Sequence, residues 1–150
     1  RYRNVLGIWM YQYINGLPFT IFGDGEQQRA FSCIDDCLVP LWKAGTDVRA
    51  SKKIINIGSW KYYSIKEAAA VLKQVIGAGE TKHEQARHEV KDALPSHELS
   101  VTLLDYEDKT SLATGLTDMW QWAQQQPKRE QKSWEKYELE KGLYGFWKNK

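Results

Sequence analysis

Among the side chains of this sequence that could do chemistry, spacing separates one candidate from several that fail. Arg29 stands in residues 17–36, LPFTIFGDGEQQRAFSCIDD, just past a Gly-Asp-Gly turn and between two apolar, strand-like segments. A side chain held that way projects from a fixed backbone position. A guanidinium there suits a phosphate, because it stays charged and offers two parallel donors. The same placement suits an ion pair with a nearby carboxylate, and the residues alone leave both readings open.

The other candidates fall to their spacing or context. His83 and His88 in HEQARH resemble the paired histidines of a metalloprotease helix. Five residues apart, they face different sides of a helix and cannot both reach one metal. His97 has no partner in sequence and reads as a surface residue. Cys33 and Cys37 sit one turn apart if the chain from Ile34 is helical. Without a second ligand pair they are not a zinc site, and they read as reduced, partly buried thiols of a cytoplasmic protein. Asp24 belongs to its turn, and Asp35 or Asp36 to a helix cap. No Gly-x-Gly-x-x-Gly follows a strand, and neither a Gly-x-x-x-x-Gly-Lys loop nor a Gly-x-Ser-x-Gly elbow occurs.

These residues need elements to position them. RNVLGIWMYQYINGLP places Val5, Ile8, Trp9, Tyr13 and Ile14 at near-helical spacing, with Gly16 and Pro18 as the stop. FTIF reads as a short strand, GDG as a turn and RAFSCI as a second strand. DDCLVPLWKAG predicts a helix with a kink or a late start at Pro40. KKIINIGS predicts a third strand. Ser64 and Glu67 form a capping box ahead of IKEAAAVLKQVIGAG, the clearest helix, closed by Gly77. Residues 79–98 read as loop with short elements, and ELSVTLLDY as a short helix. Leu112, Leu116, Met119, Trp120 and Ala123 form the apolar stripe of another helix, ended by Pro127. SWEKYELEKGLYGFWKNK predicts a last helix. The sum is a mixed α/β chain with several helices and only three or four short strands, few for a sheet that stands alone.

Bulk properties bound the rest. A chain of 150 residues reads as one domain, 1–150, and 42% hydrophobic with 27% charged residues marks a globular chain. A net charge of +2, with no basic run beyond the terminal KNK, gives no footprint for nucleic acid. No apolar run approaches the roughly 18 residues of a membrane span, and no signal peptide is visible. The first residue is Arg1 rather than Met, which reads as part of a longer chain. Seven Trp and eight Tyr are many for this length, and the plain reading is packing in a core or an interface.

Two long stretches, PFTIFGDGEQQRAFSCIDDCLVPLWKA and INIGSWKYYSIKEAAAVLKQVIG, followed by RHEVKDA, LLDYEDKTSLATGLTDMWQWA and YELEKGLYGFWK, resemble the C-terminal half of the NAD-dependent sugar-nucleotide epimerase/dehydratase family. These are extended short-chain dehydrogenases of the UDP-glucose 4-epimerase type. The resemblance covers essentially the whole chain and rests on the order of the segments. It implies a substrate-binding domain that closes over an NAD-binding Rossmann domain. The NAD loop and the catalytic Tyr-x-x-x-Lys helix of that family would lie upstream of Arg1, so no NAD is expected on this chain. Tyr62 with Lys66 and Tyr137 with Lys141 repeat the spacing in segments where the family gives it no catalytic role, and they read as coincidence.

Carried over residue by residue, the resemblance implies that Arg29 grips the nucleotide diphosphate and that Arg87 grips it from the other side. Glu89 stands where relatives often have Asp against the ribose hydroxyls. Thr20 and Phe22 lie in the segment lining the uracil pocket. The implied ligand is a UDP-sugar or another nucleotide sugar, bound without turnover by this chain alone. Departures lie elsewhere: Asp105 replaces a usual Gly, which implies a different turn, and SHELSVTL lacks the common Lys-Ala pair. In relatives KKIINIG extends the Rossmann sheet. Without that sheet the strand would keep an open edge, so self-association, a Rossmann-domain partner or a rearranged strand is expected. A second reading is a non-catalytic domain that assembles with a partner through its aromatic surface.

Overall fold

A computed structural model describes residues 4–93 and 95–127. The proposed last helix and the Tyr137–Lys141 spacing lie outside the described residues.

Helix α1 spans Val5–Ile14 and starts where Asn4 accepts hydrogen bonds from the backbone N–H of Leu6 and Gly7. That satisfies two of the donors a helix start leaves orphaned. Strand β1, Phe19–Phe22, alternates buried and half-buried residues, with Phe19 and Ile21 inward. Strand β2 covers only Gln28–Ala30 of the expected RAFSCI segment. Helix α2, Ile34–Thr46, runs through Pro40 rather than starting there, and a 3-10 turn follows at Val48–Ala50. Strand β3 is Tyr62–Ser64 and leads directly into α3, Ile65–Ile76. Strand β4 is Thr81–Glu84, α4 is Glu98–Leu104 and α5 is Leu112–Gln124.

Among the described residues the strands make two small sheets. β1 pairs with β4 in parallel, Phe19 beside Thr81 and Phe22 beside Glu84. β2 pairs with β3 antiparallel, Arg29 beside Tyr63. β3 and β4 escape the sequence reading because a three- or four-residue segment carries almost no periodic signal. The expected strand at KKIINIGS does not form. Residues 53–57 run without strand pairing, and a strand exists only where a second strand accepts its ladder. Asn56 is tied instead by its amide, which donates to the carbonyl of Ser96 at 3.0 Å.

The core is built from one face of each element around β1. Trp9 stacks on Phe19 with ring centroids 5.8 Å apart. Ala68, Ala69 and Leu72 of α3 pack in the same cluster as Leu112 and Leu116 of α5, and the expected stripe of α5 closes it with Met119, Trp120 and Ala123. Each large side chain buried here contributes roughly 1.5–3 kcal/mol. The capping box of α3 is present: Ser64 Oγ accepts from Glu67 N at 3.2 Å, and Glu67 Oε2 accepts from Ser64 N at 2.7 Å. Gly77 ends the helix in the left-handed region, at φ 81°.

At α2 the expected aspartate cap is replaced. Cys33 holds the cap position without a side-chain bond, and Asp36 accepts from the backbone N–H and the hydroxyl of Thr110 at 2.8 and 3.1 Å. A carboxylate two residues inside the helix serves the tertiary contact better than the cap. Cys33 is half-buried and Cys37 buried, both free; burial, reinforced by the neighbouring Asp36 carboxylate, pushes the Cys37 thiol up.

Candidate functional site

The Gly-Asp-Gly turn positions the site. Gly23 and Gly25 both have positive φ, 71° and 78°, and a Cβ at Gly25 would stand 3.0 Å from Ile21 Cγ2. Only glycine fits there without displacement. Asp24 accepts from the N–H of Glu26 and closes the turn. The turn brings Gln27 and Arg29 back beneath the end of β1. After β4 the chain crosses the same turn, where Gly23 N donates to Glu84 O at 3.0 Å. It then runs beside β2, where Gln28 N donates to Lys91 O at 2.9 Å. Residues 62 positions apart in sequence are thereby placed side by side.

The result is a cavity of about 370 Å³ whose walls include Asn4, Thr20, Phe22, Arg29, Arg87 and Glu89. All five residues singled out in the sequence line it together. Thr20 is fixed from α1: Gln12 accepts from its backbone N–H and donates to its hydroxyl at 2.7 Å, and Trp9 Nε1 donates to its carbonyl at 2.9 Å. Arg87 lies over the Phe22 ring, its guanidinium carbon 3.2 Å from the ring centroid. That geometry is a cation–π contact. Burial holds the Arg87 pKa below its ordinary value, and the Glu89 carboxylate opposes that shift.

Arg29 is engaged at both terminal nitrogens. One terminal nitrogen donates to the carbonyls of Gln28 and Lys91, at 2.7 and 3.0 Å. The other donates to the carbonyl of Val90 at 2.7 Å and to Glu89 Oε2 at 3.1 Å. Arg29 therefore stitches β2 to residues 89–91, and of the two readings the sequence left open, the ion pair is formed, with Glu89. Gln27, which sequence reasoning missed, donates to both Phe22 O and Glu89 Oε1, at 3.1 and 2.9 Å. Its only sequence signal is its place two residues before Arg29, which is no motif. The apolar wall from Val5, Ile8, Phe31 and Ile65 was equally hidden, because those residues read as ordinary packing.

Two discounted signals take definite places. Tyr62 and Lys66 stand on β3 and α3 and diverge: the Tyr62 hydroxyl donates to the carbonyl of Pro95 at 3.3 Å, while Lys66 pairs with Glu26. His83 lies on β4 with Nδ1 2.7 Å from the carbonyl of Gly23. Among the described residues no group of three or more His, Cys, Asp or Glu side chains could hold a metal ion. His97 is not the surface residue expected. It is half-buried beside a more open depression of about 440 Å³ that Ser32, Asn56 and Gly58 also line, and neither ring nitrogen finds a partner among the described residues.

The cavity offers two cations, an aromatic face, a carboxylate and two amides, a set suited to binding an anionic ligand. The sequence carries no glycine-rich dinucleotide turn.

No protein-family model matches the chain. It is 28% identical over 109 residues to the uncharacterised UDP-glucose epimerase YtcB of Bacillus subtilis, covering 71% of this chain and 34% of that protein. Over 70 residues it is 36% identical to the bifunctional polymyxin resistance protein ArnA of Wigglesworthia glossinidia brevipalpis, covering 45% of this chain and 11% of ArnA. In fold it is similar to UDP-glucuronic acid 4-epimerase from Bacillus cereus, solved in complex with UDP-glucuronic acid and NAD. That match has a TM-score of 0.76 and 28% identity, over 82% of this chain and 40% of that one. The chain thus spans about a third to two fifths of these epimerases. No helix among the described residues is long and apolar enough to cross a membrane. By sequence and by mixed α/β fold together, the chain is similar to part of the NAD-dependent sugar-nucleotide epimerases and dehydratases.

Proposed function

We propose that this chain is the substrate-binding, C-terminal part of a nucleotide-sugar epimerase or dehydratase, and that its cavity takes a UDP-sugar. The carrying observation is the convergence of Arg29, Arg87, Glu89, Thr20 and Phe22 on one cavity from segments distant in sequence. Two guanidinium groups match a diphosphate, whose charge is spread over several oxygens. Phe22 and the apolar wall give a base an aromatic face. Glu89 gives the ribose hydroxyls an acceptor. In this reading the tyrosine that takes the sugar proton and the NAD that takes hydride belong to a Rossmann domain outside these residues, so the chain binds and does not turn over alone.

Calorimetric titration of the chain with UDP-glucose, UDP and NAD tests this. The expected result is binding of the first two and not of NAD, weakened tenfold or more by Arg87→Ala, since a charged hydrogen bond is worth about 1.5–3 kcal/mol. Arg29→Ala weakens it too, and also loosens residues 89–91. Binding that ignores both substitutions would refute the site.

A second reading has its own support. Helix α2 turns Ile34, Leu38, Val39, Leu41 and Trp42 outward, each more than half exposed, and Val48 and Ile54 lie bare farther along the chain. Exposed apolar residues in such number fit a face that another surface covers. On this reading the chain assembles with a copy of itself or a Rossmann-type domain, and UDP has no effect on its assembly.

A further inference from the structure

We propose that Glu89 sets the affinity and selectivity of the cavity for anions: its carboxylate occupies the fork of the Arg29 terminal nitrogens, and a diphosphate gains that fork only by displacing it. The inference rests on the reading of the cavity as a diphosphate site and adds to it a residue that works against the ligand.

The two terminal nitrogens of an arginine carry four N–H groups, and here all four are spent: on the carbonyls of Gln28, Lys91 and Val90, and on Glu89 Oε2. The three carbonyls are backbone groups, two of them in the segment that Gln28 N holds beside β2, and they cannot leave without unpicking that contact. Glu89 is the one acceptor that is a side chain, and at 39% exposed it can rotate toward water. It also acts electrostatically on Arg87, the second cation of the cavity. A diphosphate therefore meets one negative group already seated where its own oxygen would sit. Gln27 holds the other carboxylate oxygen at 2.9 Å and keeps Glu89 in that seat. A neutral ligand gains nothing by moving Glu89, whereas an anion of sufficient charge does. The pair thus filters for ligands that bring more negative charge to Arg29 than one carboxylate does.

The test uses the whole chain and inorganic pyrophosphate, which has no ribose, beside UDP. Glu89→Gln keeps the shape and removes the charge; it should tighten pyrophosphate by up to about fivefold, the upper end of what an ion pair of this exposure corresponds to. Gln27→Ala keeps the charge, frees its anchor and should tighten pyrophosphate by a smaller factor. It also serves if Glu89→Gln fails to fold, which circular dichroism would show. If Glu89 were only a partner of the ribose hydroxyls, Glu89→Gln would weaken UDP and leave pyrophosphate unchanged. That result, or pyrophosphate binding equal in all three proteins, overturns the inference and leaves the cavity a diphosphate site. Absence of both ligands from all three proteins overturns the diphosphate reading, and the inference with it.

Discussion

The half of the molecule around β1 and the half around α2 handle their apolar residues in opposite ways. Around β1, helices α1, α3 and α5 turn their stripes inward, and Trp9, Phe19, Leu72 and Leu116 are fully or almost fully buried. The polar groups left over at the edge of that core converge on the cavity. Around α2 the buried set is small: Cys37, Ala50, Leu104 and Tyr106. The larger side chains point out, and polar ties hold the region. Asp36 accepts from Thr110, and Ser59 Oγ donates to Asp108 at 2.7 Å. Arg49 donates to the carbonyl of Leu103 at 3.1 Å. The contrast teaches that one stretch of chain can carry a closed core and an open apolar face at once, and that binding and assembly are separate questions put to separate halves.

Two tryptophans break the comparison most sharply. Trp9 is wholly buried, stacked on Phe19 and bonded to the carbonyl of Thr20, so Trp9→Ala should cost about 3–5 kcal/mol and unfold or nearly unfold the chain. Trp42 is 73% exposed, and Trp42→Ala should change stability by no more than about 0.5 kcal/mol. Chemical denaturation reads both. Light scattering on the Trp42 variant reads the second half: if that face is covered by another copy, association falls while the unfolding midpoint measured at low concentration does not move. Equal stability losses at the two positions would erase the distinction.

The same contrast explains what the sequence made legible. Where a helix has a long stripe and marked ends, as α3 has from Ser64 to Gly77, periodicity and caps located it. The site residues came from a resemblance carried by segment order, because no local pattern distinguishes Arg29 from an arginine in a surface pair. Short strands were the failure. Tyr62–Ser64 and Thr81–Glu84 exist only through partners far away in sequence, and residues 53–57 have strand composition but no strand among the described residues to pair with. His97 was misjudged for a related reason: burial of a lone residue on a loop depends on what packs over it, not on its neighbours in sequence.

A middle-sized effect tests how the cavity half is anchored. Ser64 and Glu67 start α3 directly after β3, the strand paired to Arg29. Ser64→Ala should cost about 1 kcal/mol, the usual loss for an N-cap hydroxyl. Glu67 is held below the ordinary carboxylate pKa, first by the backbone N–H of Ser64 and then by its hydroxyl. Asp47 is pushed down to about 2, chiefly by its hydrogen bonds with Arg49. A carboxylate lowered in the folded state stabilises above its unfolded pKa and loses that contribution as pH falls through the folded value. Stability should therefore be level from neutral pH to about pH 5 and decline toward pH 2. Glu67→Gln should flatten part of that decline, and an unchanged acid slope in this variant would show that the box does not persist in solution.

The smallest effect concerns the α2 half, at Asp105, where the resemblance implies a glycine. Asp105 ends α4 at φ 52°, ψ 40°, the left-handed region that a glycine adopts without strain. Aspartate tolerates this region better than most residues, but it remains strained by up to roughly 1 kcal/mol relative to glycine. Against that stands an ion pair: Lys43 Nζ lies 2.6 Å from Asp105 Oδ2 and joins α2 to the end of α4, with the carboxylate side chain 72% exposed. At that exposure the pair contributes about 0.2–1 kcal/mol. The two terms nearly cancel, so Asp105→Gly should shift stability by no more than about 0.5 kcal/mol in either direction. Asp105→Ala keeps the strain and loses the pair, and should cost about 1 kcal/mol or slightly more. Lys43→Ala removes the pair alone and separates the terms. If Asp105→Gly stabilised the chain as much as Asp105→Ala destabilised it, backbone strain would outweigh the ion pair. The polar ties of the α2 half would then position its elements rather than stabilise them.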